Sequence, residues 1–114
     1  MITLNYNPEG HKKLFESSSK VPISVIVPCY CCSETIRRAL YSVLDQTLLP
    51  NQIVLVEDAS PDVNRTLNEL HSLEEELYDK VETNLIKLNE NVGPGEARNI
   101  GWSVATQPYI AFLD

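Results

Sequence analysis

The stretch VPISVIVPCYCCSETI, Val21 to Ile36, decides how the rest of the chain is read. Ile23 to Pro28 is a continuous, largely β-branched apolar run closed by proline, the pattern of a strand buried on both faces. The chain then turns at Ser33, the expected N-cap, and Ile36, Leu40, Val43 and Leu44 recur at helical spacing. A doubly buried strand feeding an amphipathic helix is the opening of a βα unit.

The same stretch carries all three cysteines of the chain, Cys29, Cys31 and Cys32. A structural zinc site wants four ligands, usually as two separated pairs. No second cluster exists here, and the only histidines are His11 and His71. Cys29 and Cys32 have the C-x-x-C spacing of a thiol redox motif, which stays as an alternative. An odd number of cysteines in a chain without an export signal does not suggest a disulfide framework. The expectation is therefore small, fairly apolar residues at a strand end.

Downstream the alternation continues. Pro50 and Asn51 are expected to stop the first helix, and QIVLVED from Gln52 is a second buried strand ending in acids. SPDVNRTLNELHSLEEEL is a helix with Ser60 or Asp62 near its start, and its acidic residues read as a solvated face. NLIKLN, Asn84 to Asn89, is a shorter strand. PGEARNIGWSVA is a helix opening just after Gly93, and YIAFLD is the last strand. Residues 1–20 read as a polar leader, in which HKKLFE could form a short helix. The order β-α-β-α-β-α-β predicts a Rossmann-like α/β fold: three αβα layers around a mainly parallel sheet.

In such sheets ligands bind beyond the carboxyl ends of the strands. After the first strand stand Pro28 and Tyr30; the tyrosine either stacks on a flat ligand or is a half-buried loop residue. After the second come Glu57, Asp58 and Ser60. Two adjacent acids ending a buried strand are not expected to be both in the core, so one should sit at the rim. Asp58 and Ser60 either read donors on a base or ribose, or satisfy backbone donors in the turn. After the third, Gly93 and Gly95 allow close backbone approach, the helix start offers N–H groups to an anion, and Arg98 could fork onto phosphate. After the fourth comes Asp114, an oxygen ligand suited to a divalent cation, or simply the last residue. All four fall on one sheet edge, which describes a nucleoside diphosphate pocket.

Composition bounds the alternatives. A chain of 114 residues with 43% hydrophobic and 22% charged residues suits one globular domain. The net charge of −7 opposes a general nucleic-acid binder and requires a cation or arginine to offset repulsion from a bound diphosphate. Apolar runs are far below membrane-spanning length and residues 1–20 lack the apolar core of a signal peptide, so a cytoplasmic setting is expected.

From Val21 to Asp114 the chain resembles the nucleotide-binding half of the family 2 glycosyltransferases, which have the GT-A fold. Val27, Pro28, Cys29, Tyr30 and Cys31 stand where that family has V-P-x-Y-N. Glu57, Asp58, Ala59 and Ser60 match its D-D-x-S turn. Asn91, Gly93, Ala97, Arg98, Asn99 and Gly101 match N-x-G-x-x-x-A-R-N-x-G. The resemblance implies that residues 21–114 bind a nucleotide-diphosphate sugar, with a UDP-sugar the foremost donor. Tyr30 would lie near the base, Asp58 would read it, Arg98 would lie near the diphosphate, and Asn99 would belong to the same nucleotide site. Asp114 would be the first aspartate of a D-x-D motif holding Mg²⁺ or Mn²⁺. The parent enzyme would transfer the sugar to a glycan or similar hydroxyl acceptor, as in cell-surface polysaccharide synthesis, with inversion. Its general base and second metal aspartate are absent from these residues, which implies a fragment inactive by itself. The full-length protein would work in the cytoplasm, with the inner face of a membrane as a further setting, and an apolar face left open would favour a homodimer. The rival class is a non-catalytic nucleotide-binding or interaction module on the same scaffold.

Overall fold

The computed structural model describes residues 20–46 and 48–113, so residues 1–19 of the leader, with its expected short helix, and Asp114 lie outside the described residues, while Lys20, expected to end the leader, opens the first strand. Seven elements follow in the predicted order: β1 (Lys20–Cys29), α1 (Ile36–Leu44), β2 (Leu49–Glu57), α2 (Val63–Leu77), β3 (Glu82–Lys87), α3 (Pro94–Ser103) and β4 (Tyr109–Phe112). The strands form one sheet in the order β3-β2-β1-β4, with every neighbouring pair parallel.

That order explains where the helices lie. Strand crossovers are right-handed, so the direction of travel across the sheet selects the face that the connecting helix covers. From β1 to β2 to β3 the chain moves one way, and α1 and α2 cover one face. From β3 to β4 it returns past β1, and α3 covers the other. Two cores result. On the first face Val25, Val27, Ile53 and Leu55 pack with Ile36, Leu40 and Val43 of α1 and Leu70, Leu73 and Leu77 of α2. On the second, Ile26, Val54 and Val56 meet Ala97, with Ile110 and Phe112 at the margin. Alternate residues of β1 and β2 thus enter opposite cores, which is why both strands read as unbroken apolar runs.

Two boundaries differ from expectation. Thr35, not Ser33, is the N-cap of α1 and makes no side-chain cap bond; its hydroxyl donates back to Cys32 O at 3.4 Å, which also accepts the amides of Thr35 and Ile36 at 3.0 and 2.9 Å. Pro50 does not end α1, which stops at Leu44, but lies inside β2, paired with Val21. A proline is tolerated there because it stands at the start of the strand, where the ladder is irregular between Val21 and Ser24.

At the amino-terminal half of the sheet a buried polar group fastens the last crossover. Gln52 Oε1 accepts from Ser24 Oγ, Thr106 N and Thr106 Oγ1, while Gln52 Nε2 donates to Asn84 Oδ1. Ser24 Oγ in turn accepts from Gln107 N. These bonds hold the turn before β4 against β1 and β2.

α3 approaches the sheet closely through Gly101. A Cβ at this position would stand 2.5 Å from Ile26 Cγ2 and 3.1 Å from Val56 Cγ2. Gly101→Ala is expected to destabilise the chain by about 1–3 kcal/mol of overpacking, less the roughly 1 kcal/mol that alanine gains in helix propensity. A urea melt checks this as a lower midpoint at unchanged slope.

Candidate functional site

The carboxyl edge of the sheet is organised by two acids, and both are buried. Glu57 is 0% exposed and Asp58 2% exposed, which corrects the expectation that one would sit at the rim. The reason lies in the donors each carboxylate finds. Glu57 Oε1 and Oε2 accept from Ser60 N at 2.8 Å and Ala59 N at 3.1 Å, so the acid closes its own turn. Asp58 reaches across to the β3–α3 loop: Oδ1 accepts from Val92 N at 2.8 Å, and Oδ2 from Gly93 N and Asn91 Nδ2, both at 3.0 Å. Asn91 Nδ2 also donates to the Asp58 carbonyl at 3.0 Å. Three of the roughly four acceptor positions of the carboxylate are thereby used. One on Oδ1 is left.

The loop geometry follows from these bonds. Gly93, the residue before α3, has φ +87°, a conformation that only glycine adopts without strain. Its amide can meet Asp58 Oδ2 in that conformation, and the first turn of α3 then starts beside the acid.

The β1–α1 loop forms the opposite rim. Cys31 and Ala59 both have φ +53°, and Ser60 Oγ accepts from Cys31 N at 2.9 Å, joining the loops after β1 and β2. Cys29 and Cys32 are joined by a disulfide with Cα atoms 5.6 Å apart, within the span such a bridge requires. This corrects the reading of the cysteines as mere strand-end filler. The C-x-x-C spacing was the signal that could have found it; the odd count argued against a framework of bridges, but local geometry decides a single one. Cys31 remains a free, exposed thiol. Desolvation in the loop, followed by the negative charges of Asp62 and Glu57, holds it above the ordinary thiol range.

Between the rims lies an open cleft of about 500 Å³, within the size range of small-ligand sites. Its walls are Pro28 and Cys29 at the end of β1, Tyr30 just beyond it, Asp58 just after β2, and Asn91, Gly93 and Pro94 at the entry to α3. Of the residues expected from sequence, Pro28, Tyr30, Asp58 and Gly93 are therefore brought together, with Tyr30 51% exposed. Glu57 and Ser60 stand behind the wall as supports. Arg98 and Asn99 fall in the second turn of α3 and are not part of the wall. Asn91 was not singled out as a site residue, although its place two residues before Gly93 was the available signal. Among the described residues no group of three His, Cys, Asp or Glu side chains is placed to hold a metal ion, and Asp114 lies outside them.

A parallel α/β sheet whose strand order reverses beside a cleft at its carboxyl edge defines the doubly wound α/β class, in which ligands bind at that edge. Residues 24–114 match Glycosyl transferase family 2, and the chain belongs to that family. An uncharacterized glycosyltransferase of Nostoc sp. is 38% identical over 92 residues, covering 81% of this chain and 27% of its own length. The amylovoran biosynthesis glycosyltransferase AmsB of Erwinia amylovora is 30% identical over 94 residues, covering 82% of this chain and 30% of its own. Among solved structures, the mannosyltransferase PcManGT from Pyrobaculum calidifontis, in complex with GDP-Man and Mn²⁺, superposes with a TM-score of 0.67 at 26% identity, over 78% of this chain and 26% of that one. The chain thus spans about a quarter to a third of the length of the curated relatives it matches.

Asp58→Asn keeps the shape of the side chain but turns one acceptor into a donor facing Val92 N or Gly93 N. It is expected to destabilise the chain by about 1–3 kcal/mol and to speed amide exchange at Val92 and Gly93 ahead of the sheet, as read by hydrogen exchange.

Proposed function

We propose that the cleft is the donor site of a glycosyltransferase and takes a nucleoside diphosphate sugar together with a divalent cation. The observation that carries this reading is the buried Asp58 carboxylate, fixed by Asn91, Val92 and Gly93 in the wall of the cleft that Tyr30 also lines, with three of its acceptor positions used by those bonds. A fixed acceptor beside an aromatic side chain suits a planar base with a ring N–H: Tyr30 stacks on it and Asp58 accepts from it. The diphosphate then extends toward the start of α3, where free backbone amides and the helix dipole favour an anion, with Arg98 and Asn99 one turn further on.

The net charge of −7 calls for a cation or an arginine to offset repulsion when a diphosphate binds here. Asp114 is the residue we assign to Mg²⁺ or Mn²⁺, and the PcManGT complex with GDP-Man and Mn²⁺ supports that class of donor and metal. The cation would offset charge on the departing diphosphate. We assign the acceptor, a glycan or other hydroxyl compound, and the general base that deprotonates it for an inverting displacement, to parts of the protein outside these residues. The AmsB relative, named for amylovoran biosynthesis, supports a role in polysaccharide synthesis. No described helix is long and apolar enough to cross a membrane. A cytoplasmic location completes the reading, with the inner face of a membrane as a further setting for the full-length protein.

Calorimetry of the 114-residue chain with UDP and GDP tests this. Binding is expected in Mn²⁺, with a loss of about tenfold or more in EDTA and no comparable binding of the nucleosides. Tyr30→Ala, which leaves the Asp58 bonds intact, is expected to weaken binding by the roughly 1–3 kcal/mol of one base stack. Failure of both nucleotides to bind in Mn²⁺, or equal affinity for nucleoside and nucleotide, would sink the assignment.

A further inference from the structure

We propose that the Cys29–Cys32 disulfide is a reversible redox site whose oxidised state holds the rim loop that carries Tyr30 at the cleft. The bridge closes a loop of four residues between the end of β1 and the approach to α1. Tyr30 lies inside that loop and lines the cleft. Besides the bridge, this segment is fastened by the bond from Asp58 N to Cys29 O at 2.9 Å, by that from Cys31 N to Ser60 Oγ, and by the two amides that Cys32 O receives from Thr35 and Ile36. Cys31 is held in a left-handed conformation that a residue with a side chain adopts at a cost. Opening the bridge removes the one covalent restraint on a backbone that disfavours its present shape.

Access fixes the direction of the exchange. Cys29 is fully buried, whereas Cys32 is half-buried. A thiolate of a small or protein dithiol therefore attacks Cys32 Sγ; the S–S bond breaks and Cys29 leaves as a thiolate that takes up a proton. The second thiol of the reductant then attacks the mixed disulfide and releases Cys32, which is protonated in turn. Two electrons pass to the protein, and the dithiol becomes a disulfide. Oxidation by a disulfide of the same class reverses both steps. The raised pKa of the Cys31 thiol lowers its thiolate fraction and so slows its attack on the neighbouring bridge.

The effect on ligand rests on the donor-site reading; the redox site itself does not. The chain is equilibrated with oxidised or reduced dithiothreitol, and its thiols are alkylated under denaturing conditions and located by mass spectrometry. The expected result is alkylation at Cys31 alone after oxidation and at all three cysteines after reduction, reversibly. Amides of Cys31, Thr35 and Ile36 should exchange faster in the reduced chain. UDP or GDP in Mn²⁺ should bind about fivefold or more tightly to the oxidised form, with the Cys29→Ser, Cys32→Ser double variant matching the reduced one. Three alkylated cysteines after oxidation, or Cys31 found in the bridge, overturns the proposal, as does equal exchange in the two states. Equal nucleotide affinity in the two states overturns the coupling to the cleft. If neither nucleotide binds in either state, the donor-site reading fails, and the exchange measurement alone decides the redox site.

Discussion

A buried carboxylate has to be surrounded by donors, and the functional edge of this chain is built around that requirement at Asp58. Removing an ionised carboxyl from water costs several kcal/mol unless hydrogen bonds replace the lost hydration. The donors come from residues 91–93, so the loop between β3 and α3 must fold back over the end of β2. That in turn demands the positive φ of Gly93 and sets where α3 begins. Glu57 does the same on a smaller scale, closing the turn that leads toward α2. The cleft is the space left once these two acids are satisfied.

The reversal of strand order depends on contacts at both ends of α3. At its start stands the Asp58 arrangement; beyond its end, the Ser24–Gln52 pair receives Thr106 and Gln107 and guides the chain into β4 beside β1. Between them, Gly101 lets the helix lie against Ile26 and Val56. A bulkier side chain there would lift α3 from the sheet and move the amides at the cleft. Polar groups inside the protein thus specify position, while the apolar residues around them supply most of the burial.

The family assignment and the geometry meet at this edge. The match to Glycosyl transferase family 2 covers residues 24–114, which hold all four strands from Ser24 onward and every wall of the cleft. The disulfide at Cys29 and Cys32 adds a covalent restraint to the wall that carries Tyr30, facing a wall held by hydrogen bonds alone.

Local periodicity was enough to determine the alternation of strands and helices, the parallel sheet and the edge where Pro28, Tyr30, Asp58 and Gly93 gather. Unbroken apolar runs require two covered faces, and helical crossovers allow only parallel neighbours. Gly93 and Gly101 were visible as glycines, and Asp58 as an acid ending a strand. Their partners were not. Val92 N lies 34 residues from the carboxylate it binds, and Thr106 lies 54 residues from Gln52. Pairings at such separations arise only when strand register and helix docking bring the groups together. The burial of both Glu57 and Asp58, the placement of Pro50 in β2 and the bridge between Cys29 and Cys32 were settled in the same way. Each depends on where backbone and side-chain atoms meet in space, and spacing along the chain does not encode that.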